Sequence, residues 1–248
     1  MEIESMRKGG KILGEILSAV SSHLEPGMST WDLEKKAEQL FAQYGVQPGF
    51  KGYHGYPAIL CTSTNDEAVH GIPNKKPLKK GDILSIDCGV LLDGLNTDSA
   101  IAVVVGGETN PKAQKFVDTC IRALWDGIKQ VKPGNKIGDI GWAVEKTVKE
   151  AGFSIIKELT GHGIGYTLHE PPHIYNYGKK GTGLALKPGM TIAIEPIIAM
   201  GSPKIETLED DWTIATQDGS WAIQHEHTLL VTETGFEVLT LRPDEKIM

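Results

Sequence analysis

Leu78-Lys79-Lys80-Gly81-Asp82-Ile83-Leu84-Ser85-Ile86-Asp87 is written a second time, 108 residues on, as Leu186-Lys187-Pro188-Gly189-Met190-Thr191-Ile192-Ala193-Ile194-Glu195. Both copies read Leu-Lys-x-Gly, then an apolar β-forming run, then a carboxylate. On this reading Asp87 ends one strand and Glu195, followed by Pro196, ends the other. A second acidic position repeats more loosely, Asp98-Ser-Ala-Ile-Ala-Val-Val-Val against Glu226-His-Thr-Leu-Leu-Val-Thr-Glu. Four carboxylates thus fall in two related pairs beside β-forming runs, where an unpaired charge is costly.

A helical segment keeps nearly the same period. Leu24-Glu-Pro-Gly-Met-Ser-Thr-Trp-Asp-Leu to Tyr44-Gly45 aligns without a gap on Val131-Lys-Pro-Gly-Asn-Lys-Ile-Gly-Asp-Ile to Ala151-Gly152, a shift of 107. Two registers that agree this closely favour a duplicated half-domain. Each half is expected to carry a helix, a second helix and antiparallel strands, in a single α+β domain over 1–248 with repeats at 5–106 and 112–248. Ile12, Leu13, Ile16, Leu17, Val20 and Leu24 give a helical stripe from Ser5 to Leu24, broken by Pro26-Gly27. Thr30 is expected to cap the second helix, with Asp32 and Glu34 in its first turn. Ala58 to Thr62 reads as a short strand.

Composition narrows the function. The balance of 25 Lys+Arg against 32 Asp+Glu gives a net charge of −7, which argues against DNA binding as the main task. Cys61, Cys88 and Cys120 follow no CxxC spacing and read as reduced thiols. An acidic N-terminus without a signal pattern, and no apolar run of ~18 residues, lead to the expectation of a cytoplasmic protein without a membrane span. The cluster Lys75, Lys76, Lys79 and Lys80 reads as a solvated loop.

Clustered buried carboxylates usually imply a metal. Near Glu226, the period of two puts Gln224, Glu226 and Thr228 on one face and His225, His227 and Leu229 on the other, so both histidines read as structural or surface residues. His162 lies in Thr160-Gly-His-Gly-Ile-Gly165, where glycines let backbone approach closely, and with acids on either side it reads as a ligand. His169-Glu170-Pro171-Pro172-His173 matches H-E-x-x-H, but two prolines forbid the helix that zinc motif needs. His169 remains free for catalysis or support of the site, and His173 has no role. Asp87, Asp98, His162, Glu195 and Glu226 suit two ions at the ~3.5 to 4 Å separation of two-metal hydrolytic sites.

These residues resemble type I methionine aminopeptidases. The resemblance rests on Cys61-Thr-Ser-Thr-Asn-Asp-Glu-Ala-Val-His70-Gly-Ile-Pro73, Ser85-Ile-Asp87 with Asp98, Gly161-His162-Gly-Ile-Gly with His169-Glu-Pro-Pro, Glu195-Pro196 and His225-Glu226-His227, in order along nearly the whole chain. It implies the pita-bread fold, in which pseudo-twofold halves carry a curved antiparallel sheet flanked by helices. It implies that Asp98 and Glu226 bridge two divalent ions, with Asp87 completing one site and His162 with Glu195 the other. Fe(II), Mn(II) or Co(II) fit this donor set, and Zn(II) less well. Glu195 would shuttle a proton, His169 would stabilise the oxyanion and His70 would contact the scissile amide.

By position, Tyr53, Tyr56, Cys61 and Trp212 would line the methionine pocket. Phe50 and Leu168 depart from the commonest bacterial pattern, where Cys and an aromatic are frequent. The resemblance implies removal of initiator methionine from nascent polypeptides ahead of a small second residue, by a compact, monomeric bacterial form with the ribosome as a further partner. Two other readings keep the fold: a peptidase for X-Pro bonds, and a binding protein without catalysis.

Overall fold

The computed structural model describes residues 2–107 and 110–248. Residues 108 and 109, at the junction of the expected repeats, lie outside this description. The first half runs α1 (Glu2–Ser22), α2 (Thr30–Tyr44), β1 (Gln47–Pro48), β2 (Leu60–Thr64), β3 (Glu67–Val69), β4 (Ile83–Leu92) and β5 (Leu95–Val104). The second begins with α3 (Pro111–Ile128), α4 (Ile137–Glu150), β6 (Ser154–Ile155), β7 (Gly161–Gly163) and β8 (Glu170–Ile174). It continues with β9 (Thr191–Ile194), β10 (Ile197–Ala199), β11 (Ile205–Thr207) and β12 (Ile214–Thr216). β13 (Ala222–Gln224), β14 (His227–Val231) and β15 (Phe236–Val238) complete it.

All named strand pairs are antiparallel, giving an α+β protein. One sheet joins β1, β4 and β2, with β5 also on β4, and another runs β15-β14-β9-β7-β8. The two meet at β5 and β14, where Glu226 N donates to Ala100 O at 3.0 Å and Asp98 N to Thr228 Oγ1 at 3.0 Å. The acidic strands of the two halves therefore lie side by side.

α1 buries Leu13, Ile16, Leu17 and Val20 in one cluster with Leu84, Ile86 and Val90 of β4. Each such side chain contributes about 1.5–3 kcal/mol when fully buried. The helix closes at Ser22, two residues before the expected end. Gly10 and Gly14 are required on it because a Cβ would strike the carbonyls of Leu239 and Leu241, which bring the C-terminal segment across. Among the described residues no helix is long and apolar enough to cross a membrane.

Backbone bonds recur at related positions. Leu78 N donates to Met28 O and Leu186 N to Asn135 O, both at 2.8 Å. Asp32 accepts from Ser29 N at 2.9 Å, and Asp139 from Lys136 N at 2.8 Å, closing the first turns of α2 and α4. Three expectations are corrected here. Ser29 caps α2 and Thr30 is its first residue. The strand expected over 58–62 occupies Leu60–Thr64. Asp87 does not end a strand, because β4 continues to Leu92 and pairs Asp87 with Ala100.

Candidate metal centre and substrate cleft

Each acidic ligand candidate is held by strand backbone. Asp87 projects from the middle of β4 and Asp98 from β5, opposite Gly89. Glu195 and Glu226 stand just outside the ladder whose last pair is Ile194 and His227. His162 is carried by β7, whose glycines are sterically required, since a Cβ at 161 or 163 would collide with the carbonyl of Ala193 or Pro171. The bulky neighbours expected there are thus backbone of the flanking strands.

The five groups are all buried, at 7% exposure for Asp87, 4% for Asp98, 6% for His162, 8% for Glu195 and 1% for Glu226. Ligand atoms of Asp98, His162 and Glu226 lie within 4.8 Å of one another. His162 Nε2 is 3.5 Å from Glu195 Oε1, while Nδ1 lies 2.9 Å from Gly163 O. With Nδ1–H donated to that carbonyl, Nε2 presents its lone pair to the carboxylates.

Burial dominates the electrostatics. It pushes the Asp87 carboxyl up to about 7, against hydrogen bonds that pull it down. Burial and neighbouring carboxylates hold Asp98, Glu195 and Glu226 well above the usual range. Burial lowers His162 and His70 to about 4, with His169 adding to the effect on both, so both imidazoles are neutral at pH 7. Asp87 Oδ1, Asp98 Oδ1 and Glu226 Oε1 are buried without a hydrogen-bond partner among the described residues. Oxygens left in this way are costly unless a cation meets them.

A cleft of about 550 Å³ opens over these groups, and all eleven expected site residues line it. Tyr56 and Trp212 meet edge to face at 5.1 Å between ring centroids. Cys61 and Tyr56 belong to a buried cluster with Phe50 and Leu168, so both departures from the usual pattern fall on the wall itself. His169 meets the His162 ring edge to face at 4.4 Å between centroids, and Tyr53 Oη lies 3.0 Å from His169 Nδ1. His70 reaches the cleft from a backbone in the left-handed region, φ 60°. For a residue other than glycine that conformation costs about 1–3 kcal/mol and is typical of functional positions.

The sequence profile of "Metallopeptidase family M24" matches residues 4–233. The chain belongs to metallopeptidase family M24. This M24 chain is 41% identical over 241 residues to a methionine aminopeptidase of Clostridium acetobutylicum, covering 97% of this chain and 96% of that protein. The crystal structure of methionine aminopeptidase from Rickettsia prowazekii matches it with a TM-score of 0.94 at 39% identity over 97% of each chain. The prolidase of Pyrococcus horikoshii matches with a TM-score of 0.77 at 23% identity, over 100% of this chain and 63% of that one, and so shares the fold. The M24 fold here is the pita-bread α+β architecture.

A family of metallopeptidases needs a divalent metal, and the unpartnered oxygens with the neutral His162 fit one. Sequence reasoning missed Gln224, which lines the same cleft. Its Nε2 donates to Glu195 Oε2 at 3.0 Å and to Glu226 Oε2 at 3.4 Å, restraining two acids at once. The signal was its place on the Glu226 face of the alternating strand. The opposite face is wholly buried: His225 is 3% and His227 0% exposed, which removes the surface option for both. Arg242 Nη2 lies 2.9 Å from His225 Nε2 and donates to Glu245 Oε1 at 2.9 Å. His173 is exposed on β8, an extended segment, so no zinc helix forms there. Lys75, Lys76, Lys79 and Lys80 are all exposed.

Proposed function

We propose that this chain is a methionine aminopeptidase that removes the N-terminal methionine of nascent polypeptides. The observation that carries the reading is the convergence of five buried ligand candidates and an aromatic and sulfur wall in one cleft. The relatives' names support the same activity. Asp98 and Glu226 would bridge two divalent ions, Asp87 would complete one site, and His162 with Glu195 the other. Fe(II), Mn(II) and Co(II) suit these oxygen-rich donors better than Zn(II). Such ions, when bound, polarise the carbonyl and lower the pKa of the attacking water.

The chain's own residues would do the rest. Glu195, at 3.5 Å from His162 and tethered by Gln224, holds and releases the proton that passes to the leaving amine. His169, oriented by Tyr53, donates to the carbonyl oxygen as charge develops on it. His70 contacts the scissile amide. Tyr53, Tyr56, Cys61 and Trp212 enclose the methionine side chain, whose thioether packs well on aromatic walls.

The reading includes a single catalytic domain built from two related halves, a cytoplasmic monomer, a preference for a small second residue, and the ribosome as a partner. The X-Pro reading has less support, because the prolidase likeness extends to the fold alone. The test is amino-acid release from Met-Ala-Ser, Leu-Ala-Ser and Met-Pro-Ser by protein reconstituted with Mn(II), Co(II) or Fe(II). Methionine from the first and third, with little leucine from the second, is the expected result. Release only ahead of proline, or metal binding without cleavage, contradicts it.

A further inference from the structure

One wall residue of the cleft, Cys61, ends the segment Ile59–Cys61, whose other two side chains pack in the core with Leu33, Ala37 and Phe41 of α2. Cys61 lines the cleft and sits opposite Asp87 in the sheet, so a shift of this segment moves the wall against the metal-binding strand. Glu34 of α2 holds it from behind. Glutamate is seldom fully buried without partners, yet Glu34 is only 2% exposed. Its expected place as a first-turn acid favouring the helix dipole is corrected by what it touches. Oε1 accepts from Ile59 N at 2.8 Å and Oε2 from Leu60 N at 3.0 Å.

The other side of the segment is held as well. Tyr56 Oη, from a pocket residue, donates to Leu60 O at 2.9 Å and approaches Gly71 O at 3.1 Å. Side chains therefore grip both the N–H and the C=O of Leu60, and the residues that do so are a cleft aromatic and a carboxylate that never reaches the cleft. Packing a helix on this strand does not itself demand an acid. At the related position of α4 stands Gly141, where a Cβ would collide with the carbonyls of Tyr175 and Tyr177. The carboxylate belongs to the half that supplies Tyr53, Tyr56 and Cys61 to the pocket.

We propose that Glu34 is a positioning residue for side-chain selectivity, fixing the Ile59–Cys61 segment so that Cys61 sits at the depth that accepts a straight thioether and disfavours a branched side chain. The inference rests on the reading of the cleft as the methionine site. Removing the acceptor leaves two buried amides of the segment behind Cys61 to find new partners.

The test uses the full chain loaded with Mn(II), as wild type, Glu34→Ala and Glu34→Gln. Kinetics are followed on Met-Ala-Ser and Leu-Ala-Ser, with calorimetry of L-methionine and of Mn(II). Loss of the two bonds in Glu34→Ala is expected to raise KM for Met-Ala-Ser about tenfold, with kcat within about threefold. The ratio of kcat/KM for methionine over leucine should narrow by about tenfold while Mn(II) affinity stays within about twofold. Glu34→Gln, with one acceptor oxygen, should fall between. A folded Glu34→Ala with the wild-type ratio, or one that loses kcat and Mn(II) affinity with the ratio intact, overturns the proposal. If Glu34→Ala does not fold, a wild-type ratio in Glu34→Gln overturns it. A wild type that binds L-methionine but releases none contradicts the proposed function alone, and wild-type L-methionine affinity in the Glu34 variants then overturns this inference. A wild type that neither binds nor releases methionine overturns both.

Discussion

The two halves of the molecule deliver the same chemistry from different structures. In the first, β4 and β5 form a ten-residue ladder, and Asp87 and Asp98 leave it from within, at positions facing Ala100 and Gly89. In the second, β9 and β14 pair over only four residues, and Glu195 and Glu226 stand just past the end. The shorter acid goes with the continuous ladder, and the acid with one more methylene goes where the strand has stopped. The halves differ again behind the site, where Glu34 grips the pocket strand and Gly141 lets bare backbone pass. Similar helices and strands thus carry unlike duties, with Tyr53, Tyr56 and Cys61 of the wall supplied by one side and His162 by the other.

If both halves are needed for one centre, the largest effects come from removing one candidate ligand acid from either. Asp98→Asn and Glu226→Gln should each lower metal-dependent methionine release by more than about 100-fold, since even partners behind the ligands are worth 10–100-fold. Comparable losses sharpen the comparison. Full activity in one variant breaks it, because that half would then be scaffold only.

The next effect is on stability without metal. Asp87 in the folded chain titrates near 7 because of burial, against about 3.9 for an unfolded aspartate. Below the unfolded value both states hold the proton and folding carries no penalty. Between about pH 4 and 7 the unfolded chain releases it first, so stability falls as pH rises, by on the order of a few kcal/mol. Chelated protein should therefore melt lower at pH 7 than at pH 5, and Mn(II) should raise Tm more at pH 7. An equal gain at both pH values contradicts a buried, unneutralised acid cluster.

The acids and His162 stand out in the sequence because they sit in short motifs and the strand motif recurs, and the structure brings all five to one cleft. The errors have physical causes. Asp87 read as a strand end because a charge inside a buried strand is costly, and the sequence does not show the neighbours that make it tolerable. Glu34 was misread because its partners, Ile59 and Leu60, come 25 and 26 residues later. The alternation near Glu226 separated Gln224 from His225 correctly, but the burial of both histidines depends on Arg242 and Glu245, beyond any local pattern.

That C-terminal contact gives the smallest predicted effect. Burial alone would raise the Glu245 carboxyl, but the hydrogen bond with His227 and the charge of Arg242 outweigh it and lower the group to about 2, while burial and Arg242 hold the His227 imidazole below its usual value. The stability it adds is present above the unfolded value near 4.3 and is lost as pH falls towards 2. Glu245→Gln should cost about 1–3 kcal/mol in urea unfolding at pH 7 and much less at pH 2.5. A cost that does not change with pH would assign Glu245 to packing rather than charge.

The most direct measurement is anomalous diffraction from crystals soaked in Mn(II). The account predicts two peaks in the cleft, one against Asp87, Asp98 and Glu226 and one against His162, Glu195, Asp98 and Glu226. A single peak touching acids of one half alone, or none among these residues, would contradict a centre built jointly by both.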